Sequence, residues 1–423
     1  MKISFITLPV FGHLNPMIAL ARKVQSLGHD VSLISAVDAE PFARTANLRF
    51  IPVGENEFPI GSHVYVEKLH SELTAGEEGL RTVFSLLGHV AGSLLRPLEQ
   101  ALVKEGSEAV VLDTYQKYME LVPIHLGLPY IHVSNALHFD VSGETPLCFF
   151  DWPHSTDPEA KKRNLEGVEV FRSLLEPSLE AAKKYAEEVG LSVDWKDLST
   201  TTSKLAWITQ IPKDLDFSGP EPSPYTNTGS FQDDSARPEV AFPWEELSDA
   251  PLVYASMGTL QTGLRHVFEI IRNVAADHSQ YQFVIAIGGV LDPAQFDPLP
   301  SNVILVRRAP QLELLKRAHL CITHAGLNTV LEALSQGVPL VAIPVTNDQP
   351  GVAARLVAKK VGLATSLEEL TQPRLSELVT EVLENPLYRK NAQKMQAAIF
   401  SRDGLSLAAN LIDKAFSQAQ KSQ

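Results

Sequence analysis

Leu320-Cys-Ile-Thr-His324-Ala-Gly326-Leu-Asn328-Thr329-Val-Leu-Glu332-Ala-Leu-Ser-Gln-Gly337 reads as a short continuous apolar run, a tight turn and a helical pattern that stops at a glycine. Unbroken rather than alternating apolarity is the mark of a parallel strand covered on both faces. Thr323 closes that strand, and Ala325-Gly326 lets the backbone turn so that the main-chain amides of Asn328 and Thr329 point out of the start of the next helix. Free N–H groups and the helix dipole make such a start attractive to phosphate. The dipole alone supplies about 0.3–2 kcal/mol, so holding a diphosphate needs further donors, for which His324 and the Thr329 hydroxyl are placed. Glu332 lies about two helical turns beyond His324, where a carboxylate can accept from ribose hydroxyls.

The same strand type recurs on both sides. Ile3–Leu8, Val31–Ser35, Ala109–Asp113 and Tyr130–Ser134 form one series; Leu252–Ser256, Phe283–Ile287, Val303–Val306, Leu320–Thr323 and Leu340–Pro344 form a second. The first helix is expected to be capped by Asn15, to begin at Pro16 and to stop at Gly28, with Met17, Leu20, Val24 and Leu27 on one face. A helical pattern from about Glu159 to Val189 is interrupted by Pro177. A stretch rich in Pro, Ser, Gly and Asp separates the two series. The expected fold class is therefore α/β, two Rossmann-like open parallel-sheet domains facing across a cleft, with an N-terminal domain at 1–218, a linker at 219–243, a C-terminal domain at 244–400, and a closing helix at 401–423 that could cross back to the first domain.

Composition bounds the chemistry. The 423 residues, 44% apolar and 20% charged, suffice for two cores. A net charge of −14 argues against wrapping nucleic acid or holding anionic lipid by general electrostatics, so an anionic ligand must be gripped by local dipoles. Two distant cysteines, Cys148 and Cys321, offer neither a disulfide framework nor a zinc site, and no metal ligand set is evident. Met1–Val10 faintly imitates a leader peptide but reads better as a buried strand, and no apolar run reaches membrane-spanning length; a soluble cytoplasmic protein is expected. The glycines of a dinucleotide turn or of a P-loop are missing, which disfavours a dehydrogenase or a P-loop enzyme. The sequence is silent on oligomeric state.

Three further places carry chemistry. Tyr254-Ala-Ser256-Met-Gly258-Thr259 sets hydroxyls beside a glycine at a strand end, a weak phosphate signal that is equally ordinary turn chemistry. Phe11-Gly12-His13-Leu14-Asn15-Pro16 puts His13 on a loop at the carboxyl end of the first strand, the ligand side of an open α/β sheet. Asp113 closes a strand and could reach the same crevice, fixing the imidazole tautomer; it could instead cap the following helix, with Gln116 completing a capping box. Phe58, Val64, Phe84, Phe139, Phe149, Phe150 and Trp152 are candidates for an apolar pocket in the first half, although such residues are more often plain core or surface packing.

Taken with Arg308-Ala-Pro310-Gln311 before it and Asn347-Asp348-Gln349-Pro350 after it, the His324 segment resembles the donor-binding signature of the family 1 UDP-glycosyltransferases, inverting enzymes of GT-B architecture. The resemblance implies that His324 contacts the donor diphosphate, Glu332 the ribose, and Asp348 and Gln349 the sugar hydroxyls, Gln349 favouring glucose; the Ser256–Thr259 loop would also meet the diphosphate. It implies His13 as general base with Asp113 as its partner, and no metal. Arg308 departs from the pattern, standing where many plant members carry a base-stacking tryptophan; a guanidinium plane can stack as well. Ser256-Met-Gly-Thr-Leu-Gln261, Thr323–Val330 and Asp348–Ala353 are most similar to bacterial members acting on carotenoid alcohols or macrolides, implying a UDP-sugar and a hydrophobic small-molecule hydroxyl as partners. A UDP-sugar 2-epimerase of the same architecture is the alternative enzyme, and a catalytically dead binding protein the alternative outside enzymes.

Overall fold

The computed structural model describes residues 1–62, 76–115, 117–197, 199–217, 224–233, 239–259 and 264–421; Val64, Gln116, Gln261 and the expected boundary at 218/219 lie outside them. Two parallel sheets organise the chain. The first runs β3-β2-β1-β4-β5-β6-β7, with β1 Lys2–Ile6, β2 Asp30–Ser35, β3 Arg49–Pro52, β4 Ala109–Asp113, β5 Tyr130–Ser134, β6 Trp207–Thr209 and β7 Tyr225–Asn227. The second runs β10-β9-β8-β11-β12-β13, with β8 Leu252–Ser256, β9 Gln282–Ala286, β10 Val303–Val306, β11 Ala318–Thr323, β12 Leu340–Ala342 and β13 Gly362–Ala364. The two-domain Rossmann-like architecture read from the sequence is the one observed.

Each sheet reverses its strand order once, between β1 and β4 and between β8 and β11. At such a reversal the loops leave the sheet in opposite directions and open a crevice beyond the carboxyl ends. Ile6 pairs with Leu112 at the first switch point, and Ser256 with Thr323 at the second. The residues that follow, His13 and Asp113 on one side and Gly258 and His324 on the other, are therefore delivered to the two facing crevices.

The strands missed in the sequence, β3, β6, β7 and β13, have three or four residues each and stand at the outer parts of the sheets. Too short for a period to register, they are selected by pairing with a longer neighbour. One of them corrects the domain division: β7 lies within 219–243 and completes the first sheet, so this stretch is not linker throughout. Phe231, just beyond it, is buried among Ile208, Leu20 and Ile412.

The Glu159–Val189 pattern splits into helices Pro158–Leu174 and Glu176–Val189, Pro177 occupying the first turn of the second, where its missing N–H costs nothing. A Cβ on Gly88 would meet the Pro177 backbone carbonyl carbon at 2.8 Å, so helices Gly76–Glu105 and Glu176–Val189 approach closely at that point. The final helix, Gly404–Lys421, packs against Phe11–Ser26, burying Ala408, Ala409, Ile412 and Phe416 with Leu20 and Val24. Across the middle, Arg355 from the second lobe bonds Asp216 of the first at 2.7 Å and lies 4.2 Å over the Phe217 ring, both charges buried. Gly351 N donates to Cys148 O at 2.9 Å, a contact so close that a Cβ there would stand 2.6 Å from that oxygen.

Candidate functional site

Between the lobes lies a cleft of about 860 Å³. His13 reaches it from the first turn of helix Phe11–Ser26, not from a loop. The helix begins four residues before the expected cap, and Pro16 lies inside it. A proline within a helix removes the N–H that would bond the carbonyl four residues earlier, here that of Gly12. That carbonyl instead accepts from Asn328 Nδ2 of the opposite lobe at 2.6 Å. Gly28, at φ +96°, follows the helix end as expected.

His13 Nδ1 and Asp113 Oδ2 are 2.6 Å apart. Asp113 also accepts from the Thr7 hydroxyl at 3.1 Å and, through its other oxygen, from Tyr115 N at 3.2 Å. The carboxylate is thus held by its own strand end and by β1's loop rather than capping a helix. Burial disfavours the imidazolium, but the charge of Asp113, its hydrogen bond and the more distant charge of Asp348 outweigh this and hold His13 above its ordinary value. With Nδ1 engaged, Nε2 makes no hydrogen bond among the described residues, and 14% of the side chain is exposed.

The second lobe presents a histidine of the opposite character. His324 stands half-buried between Gly258 and Gly326, and a Cβ on either would overlap its ring. Gly258, at φ +73°, also needs the freedom of glycine in its backbone. The sequence assigned the sharp turn to Ala325-Gly326; the left-handed residue is Ala325 (φ +66°), while Gly326 provides room for the ring. Burial lowers the His324 pKa to about 4, so near neutral pH the ring offers a hydrogen bond but no charge.

Around His324 the donor-side residues named from the sequence all line the cleft: Ser256, Gly258, Thr259, Arg308, Pro310, Gln311, Gly326, Asn328, Thr329, Glu332, Asp348 and Gln349. Gln311 Nε2 donates to Glu332 Oε2 at 2.6 Å while its Oε1 accepts from Tyr254 OH at 3.1 Å, which fixes the carboxylate's direction. Asp348 Oδ2 accepts from Leu137 N of the first lobe at 2.9 Å, and burial pushes its carboxyl up despite that bond and His13's charge. Gln349 Oε1 accepts from Val345 N and Thr346 N at 2.9 and 3.1 Å, leaving its Nε2 for other partners. Arg308 is exposed, with its guanidinium 5.5 Å from the centre of the Phe11 ring.

The acceptor expectations divide. Phe58 lines the cleft. Phe84, Phe139 and Phe149 instead form an aromatic core with Phe171, at centroid separations of 4.8–5.9 Å. Trp152 stacks on Phe150 at 3.9 Å and does not line the cleft. These rings satisfy one another, a better outcome for large apolar faces than an open pocket wall. The apolar wall comes from one stripe of helix Gly76–Glu105, Val83, Leu87, Val90, Leu94 and Leu98, together with Met119. Its three- and four-residue spacing was visible in the sequence, but spacing alone does not say whether a stripe faces core or cavity. Thr7, Tyr115 and Gln210 were also missed, being single polar residues without a motif. Tyr115 OH donates to Asn347 Oδ1 at 2.9 Å, another contact between lobes.

Among the described residues, no group of three His, Cys, Asp or Glu side chains could hold a metal ion, and no helix is long and apolar enough to cross a membrane. Cys148 and Cys321 are free and buried.

Two lobes of this topology facing each other across such a cleft are the GT-B fold. Residues 245–403 match the model of the family "UDP-glucoronosyl and UDP-glucosyl transferase". The chain is 27% identical to a zeaxanthin glucosyltransferase of Pantoea ananas, over 97% of this chain and 95% of that one. It is 24% identical to the NDP-glycosyltransferase YjiC of Bacillus subtilis, over 97% and 96%. The solved glycotransferase of kitacinnamycin superposes with a TM-score of 0.74 at 20% identity, covering 98% of each chain. Residues 245–403 thus carry the domain of that family, and the chain is similar along its length to glycosyltransferases; it is an enzyme that moves a sugar from a nucleotide sugar to a small-molecule acceptor. These relationships give no support to the epimerase alternative.

Proposed function

We propose that the enzyme transfers glucose from UDP-glucose, with inversion, to a hydroxyl of a lipophilic small molecule such as a terpenoid, carotenoid, polyketide or phenol. The observation that carries this reading is the His13–Asp113 pair, joined at 2.6 Å and partly exposed to the same cleft that His324, Glu332 and Asp348 line from the other lobe. His13 Nε2 takes the proton as the acceptor oxygen attacks the anomeric carbon. The new C–O bond forms as the bond to the diphosphate breaks, and the electron pair leaves with UDP on the opposite face. Asp113 keeps the proton of Nδ1 in place and stabilises the imidazolium.

Main-chain amides of Asn328 and Thr329, the Thr329 hydroxyl, the Ser256–Thr259 loop and His324 receive the diphosphate. Because His324 is neutral, it contributes by donating a hydrogen bond. Glu332 accepts from the ribose, Asp348 and Gln349 hold the sugar, and Arg308 with Pro310 and Gln311 faces the base. This constellation needs no metal ion. The stripe Val83–Leu98, with Phe58 and Met119, receives the apolar body of the acceptor. Resemblance to a zeaxanthin glucosyltransferase supports a lipophilic alcohol, and the proposed setting is the cytoplasm.

A mass-spectrometric screen of hydrophobic alcohols and phenols against UDP-glucose, UDP-galactose and UDP-GlcNAc tests reaction class and both specificities. Transfer of glucose to apolar alcohols, with an inverted anomeric centre by NMR, is the expected result. Preference for another sugar, retention, or turnover confined to polar acceptors refutes the corresponding part of the reading.

A further inference from the structure

Gly12 and Asn328 are 316 residues apart in sequence, and in the folded chain one carboxamide joins them. Gly12 immediately precedes His13; Asn328 stands in the first turn of helix Leu327–Ser335, whose start faces the cleft. Asn328 Nδ2 donates to Gly12 O at 2.6 Å, and Asn328 Oδ1 accepts from Gln210 Nε2 at 2.8 Å. The orientation of this amide is determined, since Gln210 Nε2 also donates to Asn135 O at 2.6 Å and so must present its nitrogen to both oxygens. Because residue 16 is proline, no helical N–H reaches Gly12 O; any other residue within helix Phe11–Ser26 would offer one, competing with Asn328 for the direction of that carbonyl. Two features legible separately in the sequence, a proline inside a helix and an asparagine at a helix start, thus complete one contact across the cleft.

We infer that Asn328 is a positioning residue: its side chain, oriented by Gln210, fixes the His13 turn against the helix start that receives the donor diphosphate, with Pro16 reserving the Gly12 carbonyl for it. The inference rests on the proposed role of His13, and it separates the two halves of Asn328. The main-chain amide serves the donor; the carboxamide serves the alignment of the base with the anomeric carbon. A misplacement of about 1 Å at a reacting centre can cost about 10²-fold in rate without weakening ground-state binding.

The test uses Asn328→Ala, Gln210→Leu and Pro16→Ala in the full chain, each checked for folding by thermal melting. Turnover is measured with UDP-glucose and whichever alcohol the wild type uses fastest in the screen; UDP affinity is measured by calorimetry, which requires no catalysis. Asn328→Ala should lower kcat by about 10–10²-fold with UDP affinity changed less than about twofold. Gln210→Leu, which acts on the base only through Asn328, should give a smaller loss of kcat, and the double variant should be no slower than Asn328→Ala alone, because both remove one contact. Pro16→Ala supplies the competing N–H, so kcat should fall while the melting temperature holds or rises. Weakened UDP binding in Asn328→Ala, additive losses in the double variant, or a stabilised Pro16→Ala with undiminished kcat would each overturn the inference. If His13→Ala keeps full activity, the assignment of the base fails instead, an outcome these measurements register separately.

Discussion

Two histidines face one cleft from the two lobes, each just beyond the carboxyl end of a strand at a topological switch point, yet their surroundings give them opposite electrostatics. His13 is partly exposed, bound to a buried carboxylate, and held above its ordinary pKa. His324 is enclosed by two glycines with no carboxylate against it, and its pKa drops to about 4. Equivalent topology therefore does not confer equivalent chemistry. A proton acceptor needs a partner for the charge it acquires; a neutral hydrogen-bond donor to a diphosphate needs only a fixed, dry position.

The contrast breaks most readily at His13. His13→Ala should reduce kcat by about 10²–10⁴-fold while UDP affinity stays nearly constant, since only the base is removed; equal rates would transfer the base to another group. Asp113→Asn should cost up to about 10⁴-fold, because an amide in its place favours the wrong imidazole tautomer, and should also move the pH profile. The base must be unprotonated, so with a raised pKa the wild-type acid limb lies above about pH 6.5. Without the carboxylate charge, burial prevails and that limb should shift to lower pH; a limb that stays in place would mean that another group titrates.

On the donor side, effects should appear in binding. Glu332→Ala should weaken UDP by about 1–3 kcal/mol through loss of a charged acceptor, read by calorimetry. Gly326→Ala drives a methyl into the His324 ring and should weaken UDP by a similar 1–3 kcal/mol. An unaltered affinity would show that the ring position is unimportant. The smallest effect is itself diagnostic: in a His13→Ala, Asp348→Asn background, which removes the site's other shifted imidazole and its shifted carboxyl, UDP-glucose affinity should change less than about twofold between pH 8 and 5.5, because His324 stays neutral throughout. A marked gain on acidification would mean that His324 binds the diphosphate as a cation, and the contrast between the lobes would disappear.

The second lobe was far more legible than the first. The residues proposed there for diphosphate, ribose and sugar follow one another along Ser256–Gln349, on strand ends and helix starts set by near neighbours, and all of them reach the cleft. The first lobe builds its site from residues with no local signature. Phe84, Phe139 and Phe149 have the composition of a pocket and the position of a core. The helix around His13 begins four residues before its expected cap, and the carbonyl that Pro16 leaves without a helical donor is met from the other lobe.

By itself, then, the sequence determined two parallel-sheet lobes, the order of the donor-side residues and the candidacy of His13 and Asp113, because apolar runs, glycines and helix signals act over a few residues. Only the tertiary structure decided which apolar stripe lines the cleft, how the Asn328 amide points and which histidine gains a carboxylate. Those outcomes depend on atoms brought together from 100 to 316 positions away, a separation over which local patterns carry no information.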